Sequence, residues 1–261
     1  MMNNVKIKKL SNNQIKLINS LKTKKYRYKH KLFLVEGEKS CKELIENSKN
    51  LISFFVIPEN NIKTNNILLK QIVENNKEIF GIENQKFKSL SDTKTPQEIL
   101  AVVSLIPQKF IKKSPIIILD NISDPGNLGT IIRSMDWFGI NQLVLSKNCV
   151  DIFSPKVIRS TMGSIFRINY FIPNDLKVFI TNDLADFEII GTSIDTNVFI
   201  DNYNFPDNFA IIIGNEAKGI SPELMEIITR KIKIQGFGKA ESLNASVACS
   251  IILYEIAKKI H

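Results

Sequence analysis

Three short stretches concentrate the residues whose types and spacing could do chemistry. The first is Asp124-Pro125-Gly126-Asn127-Leu128-Gly129-Thr130-Ile131-Ile132-Arg133-Ser134. The second is Ile213-Gly214-Asn215-Glu216-Ala217-Lys218-Gly219-Ile220-Ser221. The third runs over residues 234–248 and reads IQGFGKAESLNASVA. In the third stretch, Gly236 and Gly238 let the backbone pass close to a ligand or to another segment. Ser242, Asn244 and Ser246 gather polar groups where a helix is expected to begin at Ser242, and free N–H groups there favour negative charge. An ordinary helix cap would use the same residues. In the first stretch, Asn127 and Arg133 fall on a helix expected to follow a strand tip, which is where α/β proteins place ligands. A surface pair with Asp136 is the alternative for Arg133. In the second, Gly214 follows an apolar run and bares backbone amides. Glu216 is an acid at an expected helix start, a position the helix dipole favours by itself.

The elements that would position these residues alternate between strand and helix. Residues 11–22 read as a helix with Ser11 as N-cap, and residues 32–35 as a strand. A helix over 38–47, a strand over 52–57 that stops at Pro58, a helix over 67–73 and a weak strand over 78–82 follow. One short helix falls within 83–97, and residues 99–105 form a strand. Residues 106–115 hold two prolines and three lysines and read as a linker. Residues 116–119 are a continuous apolar run, as in a strand buried on both faces of a parallel sheet. A helix to about Phe138 and strands over 142–146, 165–171, 188–194 and 209–213 come next, with a helix over 176–184. Ser221-Pro222-Glu223 opens another helix with a capping serine and proline at the first position. The last helix, from Ser242 to about Ile260, is apolar on much of its circumference, which implies burial in the core or against a second subunit. The fold class is therefore α/β. The chain divides into a small α/β domain over 1–105, the linker, and a mostly parallel sheet with flanking helices over 116–261.

Composition narrows the function. The chain has 261 residues, 44% hydrophobic and 23% charged, as in an ordinary globular protein. No apolar run reaches membrane-spanning length and the amino terminus has no signal core, so a membrane partner is not expected. Cys41, Cys149 and Cys249 are widely separated, with no metal spacing, which fits a reducing cytoplasm. The two histidines, His30 and His261, lack a triad setting, and no metal site is expected. The net charge of +9 is not spread evenly. Residues 1–35 hold ten Lys/Arg and no acid, and the remainder is close to neutral. A basic end tracks a polyanion, most often nucleic acid, although a solvated tail has the same composition. Tyr26 and Tyr28 interleave with Lys24, Lys25, Arg27 and Lys29, which adds stacking for unpaired bases.

The three stretches, in this order, resemble the three motifs of the SpoU/TrmH family of RNA ribose 2′-O-methyltransferases. Ser154-Pro155-Lys156-Val157-Ile158-Arg159-Ser160-Thr161-Met162-Gly163 resembles the family's connecting segment, and its Arg159 is counted with the RNA-contacting cations. Lys25-Tyr26-Arg27-Tyr28-Lys29, followed by Leu32-Phe33-Leu34-Val35-Glu36-Gly37, is similar to the start of the substrate-binding domain that precedes the catalytic domain in many members. Gln235 departs from the family, which usually has proline there. The resemblance implies S-adenosylmethionine as methyl donor, held by Ile213, Gly214, Asn215, Ile234, Gly236 and Leu243. It implies Arg133, Asn127, Glu216, Ser242 and Asn244 as the catalytic set. Arg133 would engage the phosphate of the target nucleotide, and Glu216 would order Asn127 or Arg133. It also implies a carboxy-terminal trefoil knot, a homodimer, and RNA as substrate, with ribosomal RNA favoured over transfer RNA. The rival function is a noncatalytic RNA-binding or ribosome-assembly module on the same scaffold. A nicotinamide-dependent oxidoreductase is disfavoured, because no G-x-G-x-x-G pattern is present.

Overall fold

The computed structural model describes residues 7–60, 67–93 and 95–260, so Lys6 of the basic stretch and His261 lie outside it. The elements run β1 (Lys8–Lys9), α1 (Asn12–Ser20), α2 (Lys24–His30), β2 (Leu32–Glu36), α3 (Glu38–Ser48), β3 (Ile52–Pro58), α4 (Ile67–Glu74), β4 (Ile79–Ile82), α5 (Asn84–Leu90) and β5 (Leu100–Ser104). They continue with β6 (Ile116–Leu119), α6 (Pro125–Trp137), β7 (Gln142–Leu145), α7 (Pro155–Thr161), β8 (Asn169–Phe171), α8 (Leu176–Asp183), β9 (Glu188–Thr192), β10 (Phe209–Ile213), α9 (Pro222–Met225), β11 (Arg230–Ile232) and α10 (Ala245–Ile260). Two compact units result. One is Met1–Pro107 with Phe153–Phe166, and the other is Gln108–Ile152 with Arg167–His261. Residues 153–166 fall within the sequence range assigned to the second domain, but they pack with the first unit. Phe153 packs against Phe33 in a tilted ring pair, 4.9 Å between centroids.

The first unit is a mixed sheet in the order β1-β4-β3-β5-β2, with β5 antiparallel to both neighbours. Ser11 caps α1 through a reciprocal bond with Gln14, so both ends of the capping box are closed. Ile18 and Leu21 then reach the core beside Leu34, Val56 and Leu100. Within the basic stretch, residues 24–30 fold as α2. Lys24, Lys25, Tyr26, Tyr28, Lys29 and His30 face solvent. Arg27 does not. It is 3% exposed, and its guanidinium donates to the carbonyls of Leu21 at 2.8 Å and Lys22 at 2.9 Å. Those carbonyls close α1, so Arg27 fastens two helices together and is not presented to RNA.

The second unit is a six-stranded, fully parallel sheet in the order β11-β9-β10-β6-β7-β8. Every residue of β6, β7 and β10 is buried, as a sheet covered on both faces requires. The spacing of Leu128, Ile131, Ile132 and Met135 gives α6 its buried stripe. Asp124 caps that helix by accepting from the Asn127 amide, and Pro125 occupies its first turn; such a cap contributes about 1 kcal/mol. Three details differ from the sequence reading. Residues 164–167 form a 3-10 turn, and only Asn169–Phe171 is strand. Ser221 has no capping bond; its amide donates instead to Asp120. The last helix starts at Ala245, three residues later than expected, because Asn244 and not Ser242 caps it. Asn244 Oδ1 accepts from the Ser246 amide and hydroxyl and from the Val247 amide.

Candidate active site

Strand register decides where the three stretches meet. Leu119 ends β6 level with Ile213 of β10 and with Leu145 of β7. From β6 the chain crosses through α6 to β7 on one side. From β10 it crosses through α9 to β11 on the other. The loops leaving β6 and β10 therefore diverge, and the crevice between them is the switch point where open α/β sheets bind ligands. The first stretch leaves β6 there and the second leaves β10.

A chain of side-chain hydrogen bonds spans this crevice. Asn127 Nδ2 donates to Glu216 Oε1 at 2.7 Å. Asn244 Nδ2 donates to Asn127 Oδ1 at 3.0 Å. Glu216 Oε2 also accepts from Asn215 at 3.3 Å. Asn127 is 9% exposed and has both amide groups engaged, so its orientation is over-determined. Glu216 thus holds one end of the Asn127 amide, and Asn244 extends the chain to the start of α10. α6 and α10 lie side by side and are tied again by Ser134 and Ser250, hydroxyl to hydroxyl at 2.7 Å.

Arg133 projects from α6 and is exposed, with no hydrogen bond or ion pair among the described residues. The alternative partner, Asp136, is taken by Arg167, which grips it with Nε at 2.8 Å and Nη2 at 2.6 Å. A guanidinium left without an acid beside it is available to a phosphate. Ser242 lies exposed in the loop before α10, beside Leu243, which is 48% exposed.

Gly214 has a different reason for being glycine than the one inferred from sequence. A Cβ there would lie 2.2 Å from the Gly219 carbonyl carbon and 2.3 Å from the Ile220 amide nitrogen. The close neighbour is the returning limb of its own loop. That loop is closed by a two-bond bridge between Asn215 and Gly219, each bond 2.9 Å. Asn215 Oδ1 accepts from the Ala217 and Lys218 amides, and its Nδ2 donates to the Asn121 carbonyl at 2.7 Å. Its side chain therefore shapes the loop. By contrast, Cβ positions at Gly236 and Gly238 meet nothing within 4 Å. Ile213 is buried at the end of β10, and Ile234 is half-buried.

Lys24, Lys25, Lys29 and Arg159 belong to the first unit. Arg159 is half-buried between Glu36 at 4.0 Å and Asp92 at 3.9 Å. Its charge is shared with two acids, unlike the exposed lysines. Cysteine chemistry has no support. Cys249 is fully buried in α10, and burial pushes its thiol up to about 12. Burial likewise raises Cys41 and Cys149. Two polar residues of this region, Asp120 and Asn121, were missed from sequence. The signal was a polar Asp-Asn pair directly after the apolar run of β6.

A parallel α/β domain with polar side chains converging at its switch point is the layout of a ligand-binding enzyme domain. Comparison with known proteins gives the family. The SpoU rRNA Methylase family profile matches residues 114–254, and the MRM3-like substrate binding domain matches residues 12–101. The chain is 30% identical to the 23S rRNA (guanosine(2553)-2′-O)-methyltransferase RlmP of Bacillus subtilis (strain 168), over 96% of this chain and 98% of that one. A TrmH-family structure from Porphyromonas gingivalis superposes with a TM-score of 0.80 at 29% identity, covering 94% of this chain and 97% of that one. The AdoMet-bound rRNA methyltransferase of Sinorhizobium meliloti shares the fold, with a TM-score of 0.83 at 24% identity, covering 98% of each chain. The chain belongs to the SpoU rRNA methylase family.

Proposed function

We propose that the chain methylates the ribose 2′-hydroxyl of a nucleotide in ribosomal RNA. It is an S-adenosylmethionine-dependent RNA 2′-O-methyltransferase. The observation that carries this reading is the Glu216–Asn127–Asn244 relay, which joins one residue from each of the three motif stretches at the switch point. The donor suits the residues present. Ile234 and the exposed Leu243 offer an apolar wall, and the open backbone at Gly236 leaves room beside it. When bound, S-adenosylmethionine supplies an electrophilic methyl group. The chain's own residues must then align a hydroxyl and provide for its proton. Arg133 grips the phosphate of the target nucleotide, and Asn127, held from both sides, fixes the crevice beside it. Ser242 and Asn244 complete the polar rim. The alternative of a noncatalytic module is not favoured, because all five polar residues of the set are retained.

The first unit captures RNA and the second transfers the methyl group. The carboxy-terminal segment forms the family's trefoil knot. The assembly is an isologous dimer in the cytoplasm, where three free cysteines are at home. Trp137, 84% exposed on α6, and Tyr254, 50% exposed on α10, suit a subunit interface.

Incubation of the chain with ribosomal RNA and methyl-labelled S-adenosylmethionine is expected to place label on a ribose 2′-oxygen. Label on transfer RNA alone would overturn the ribosomal assignment. RNA binding without any methyl transfer would favour the noncatalytic module. A second expectation concerns α2. Replacing Lys24, Lys25 and Lys29 together by alanine should weaken RNA binding and reduce its salt slope by about 2 to 3, since each lost phosphate contact removes somewhat less than one. Affinity for S-adenosylmethionine should not move. An unchanged slope would make this helix a solvated surface.

A further inference from the structure

The apolar run of β6 ends in a carboxylate that sequence reading passed over. Asp120 is 2% exposed and has no ion-pair partner among the described residues. Burying an unpaired charge is costly, and apolar or neutral side chains fill such places more cheaply. Its two oxygens are both used. Oδ2 accepts from the Ser221 amide at 2.7 Å, and Oδ1 accepts from Asn121 Nδ2 at 2.8 Å. Asn121 is itself held in the left-handed region at φ 57, with its amide bonded to Ser146 Oγ at 2.9 Å. Its carbonyl in turn accepts from Asn215 Nδ2. The pair Asp120–Asn121 therefore holds the loop after β10 at both ends. Asn121 takes the outgoing limb at Asn215, and Asp120 takes the returning limb at Ser221. Glu216 sits on that loop, next to Asn215.

We infer that Asp120 is a positioning residue for methyl transfer: through Asn121 and Ser221 it sets the loop that aims Glu216 at Asn127. The inference rests on the methyltransferase reading above. Asp120 touches neither substrate nor donor in this scheme, and its whole effect passes through Glu216.

That last property gives the test. Asp120→Asn keeps the shape but loses one acceptor and turns an N–H group toward a donor. Single-turnover methyl transfer should fall roughly tenfold to a hundredfold, the worth of one hydrogen bond to a charged group. In a Glu216→Gln background the same change should cost less than about threefold, because coupled residues are not additive. Affinity for S-adenosylmethionine, measured by calorimetry, should be unchanged. A residue that merely stabilises the fold would lower the rate equally in both backgrounds, and that result overturns the proposal. So does an unaltered rate in Asp120→Asn alone. Should Asp120→Asn fail to fold, Asn121→Gly applies the same test. It keeps the left-handed backbone, the amide and the carbonyl but removes the donor to Asp120 Oδ1, and the same coupling to Glu216 is expected. A wild-type chain that transfers no methyl group to RNA would sink the functional reading first and this inference with it.

Discussion

Arg133→Lys and Arg133→Ala are both expected to lower single-turnover methyl transfer by roughly a hundredfold or more, the scale on which misplacing a reacting group acts. The two variants separate charge from geometry. Lysine keeps the positive charge but loses the planar fork that grips two phosphate oxygens. Arg133 is exposed and, among the described residues, holds no acid. Its replacement therefore breaks nothing in the ligand-free fold, and both variants should melt close to the wild-type temperature. The loss should appear in the transfer step more than in ground-state binding, because the grip matters most when the hydroxyl must meet the methyl group. Affinity for S-adenosylmethionine should change little, since the residues assigned to it are Ile213, Gly214, Asn215, Ile234, Gly236 and Leu243. A lysine variant that works at the wild-type rate would leave Arg133 supplying charge alone. Loss of donor binding in both variants would make it part of the pocket wall.

Asn127→Asp is expected to be nearly as damaging, with a pH signature that alanine lacks. The new carboxylate would face Glu216 Oε1 where the amide now donates at 2.7 Å. Two like charges about 4 Å apart repel by on the order of 4 kcal/mol at an effective dielectric constant near 20. The crevice would open, and the rate should fall on the order of a hundredfold. Crowding two carboxylates raises the pKa of one of them. Above that raised value both are ionised and repel. Below it one is protonated, and its O–H can donate in place of the lost amide. The rate of Asn127→Asp relative to wild type should therefore recover as pH falls. Asn127→Ala has no group to protonate, and its relative rate should stay low throughout. Equal losses for the two variants at every pH would show that the contact between residues 127 and 216 does not govern transfer.

Much of this molecule was legible in its residues. The apolar runs of β6 and β10 suited strands buried on both faces, and their alternation with helical stretches pointed to a parallel sheet. Ser11 marked a helix start that formed where expected, whereas α6 begins at Pro125 under an Asp124 cap that the sequence reading did not single out. The family followed from three motifs in order, because their residue types are local and survive in one dimension. Helix boundaries that depend on competition between neighbouring caps were less legible. Ser242 and Asn244 are chemically alike as caps, and only the backbone path selects Asn244. Arg27 reads as one cation among many, yet its side chain turns inward to two carbonyls that exist only after α1 has ended.

Sequence by itself determined which residues could act, because motif spacing and residue chemistry are properties of the chain. Tertiary structure alone decided which of them touch. Asn127, Glu216 and Asn244 stand far apart in the chain and meet only because β6 and β10 are level and their crossovers diverge. The same register gave the Asp120 carboxylate its partner at Ser221 and the Asn121 carbonyl its partner at Asn215. Contacts of this kind depend on strand order and register, and a shift of one residue turns every side chain of a strand to the other face.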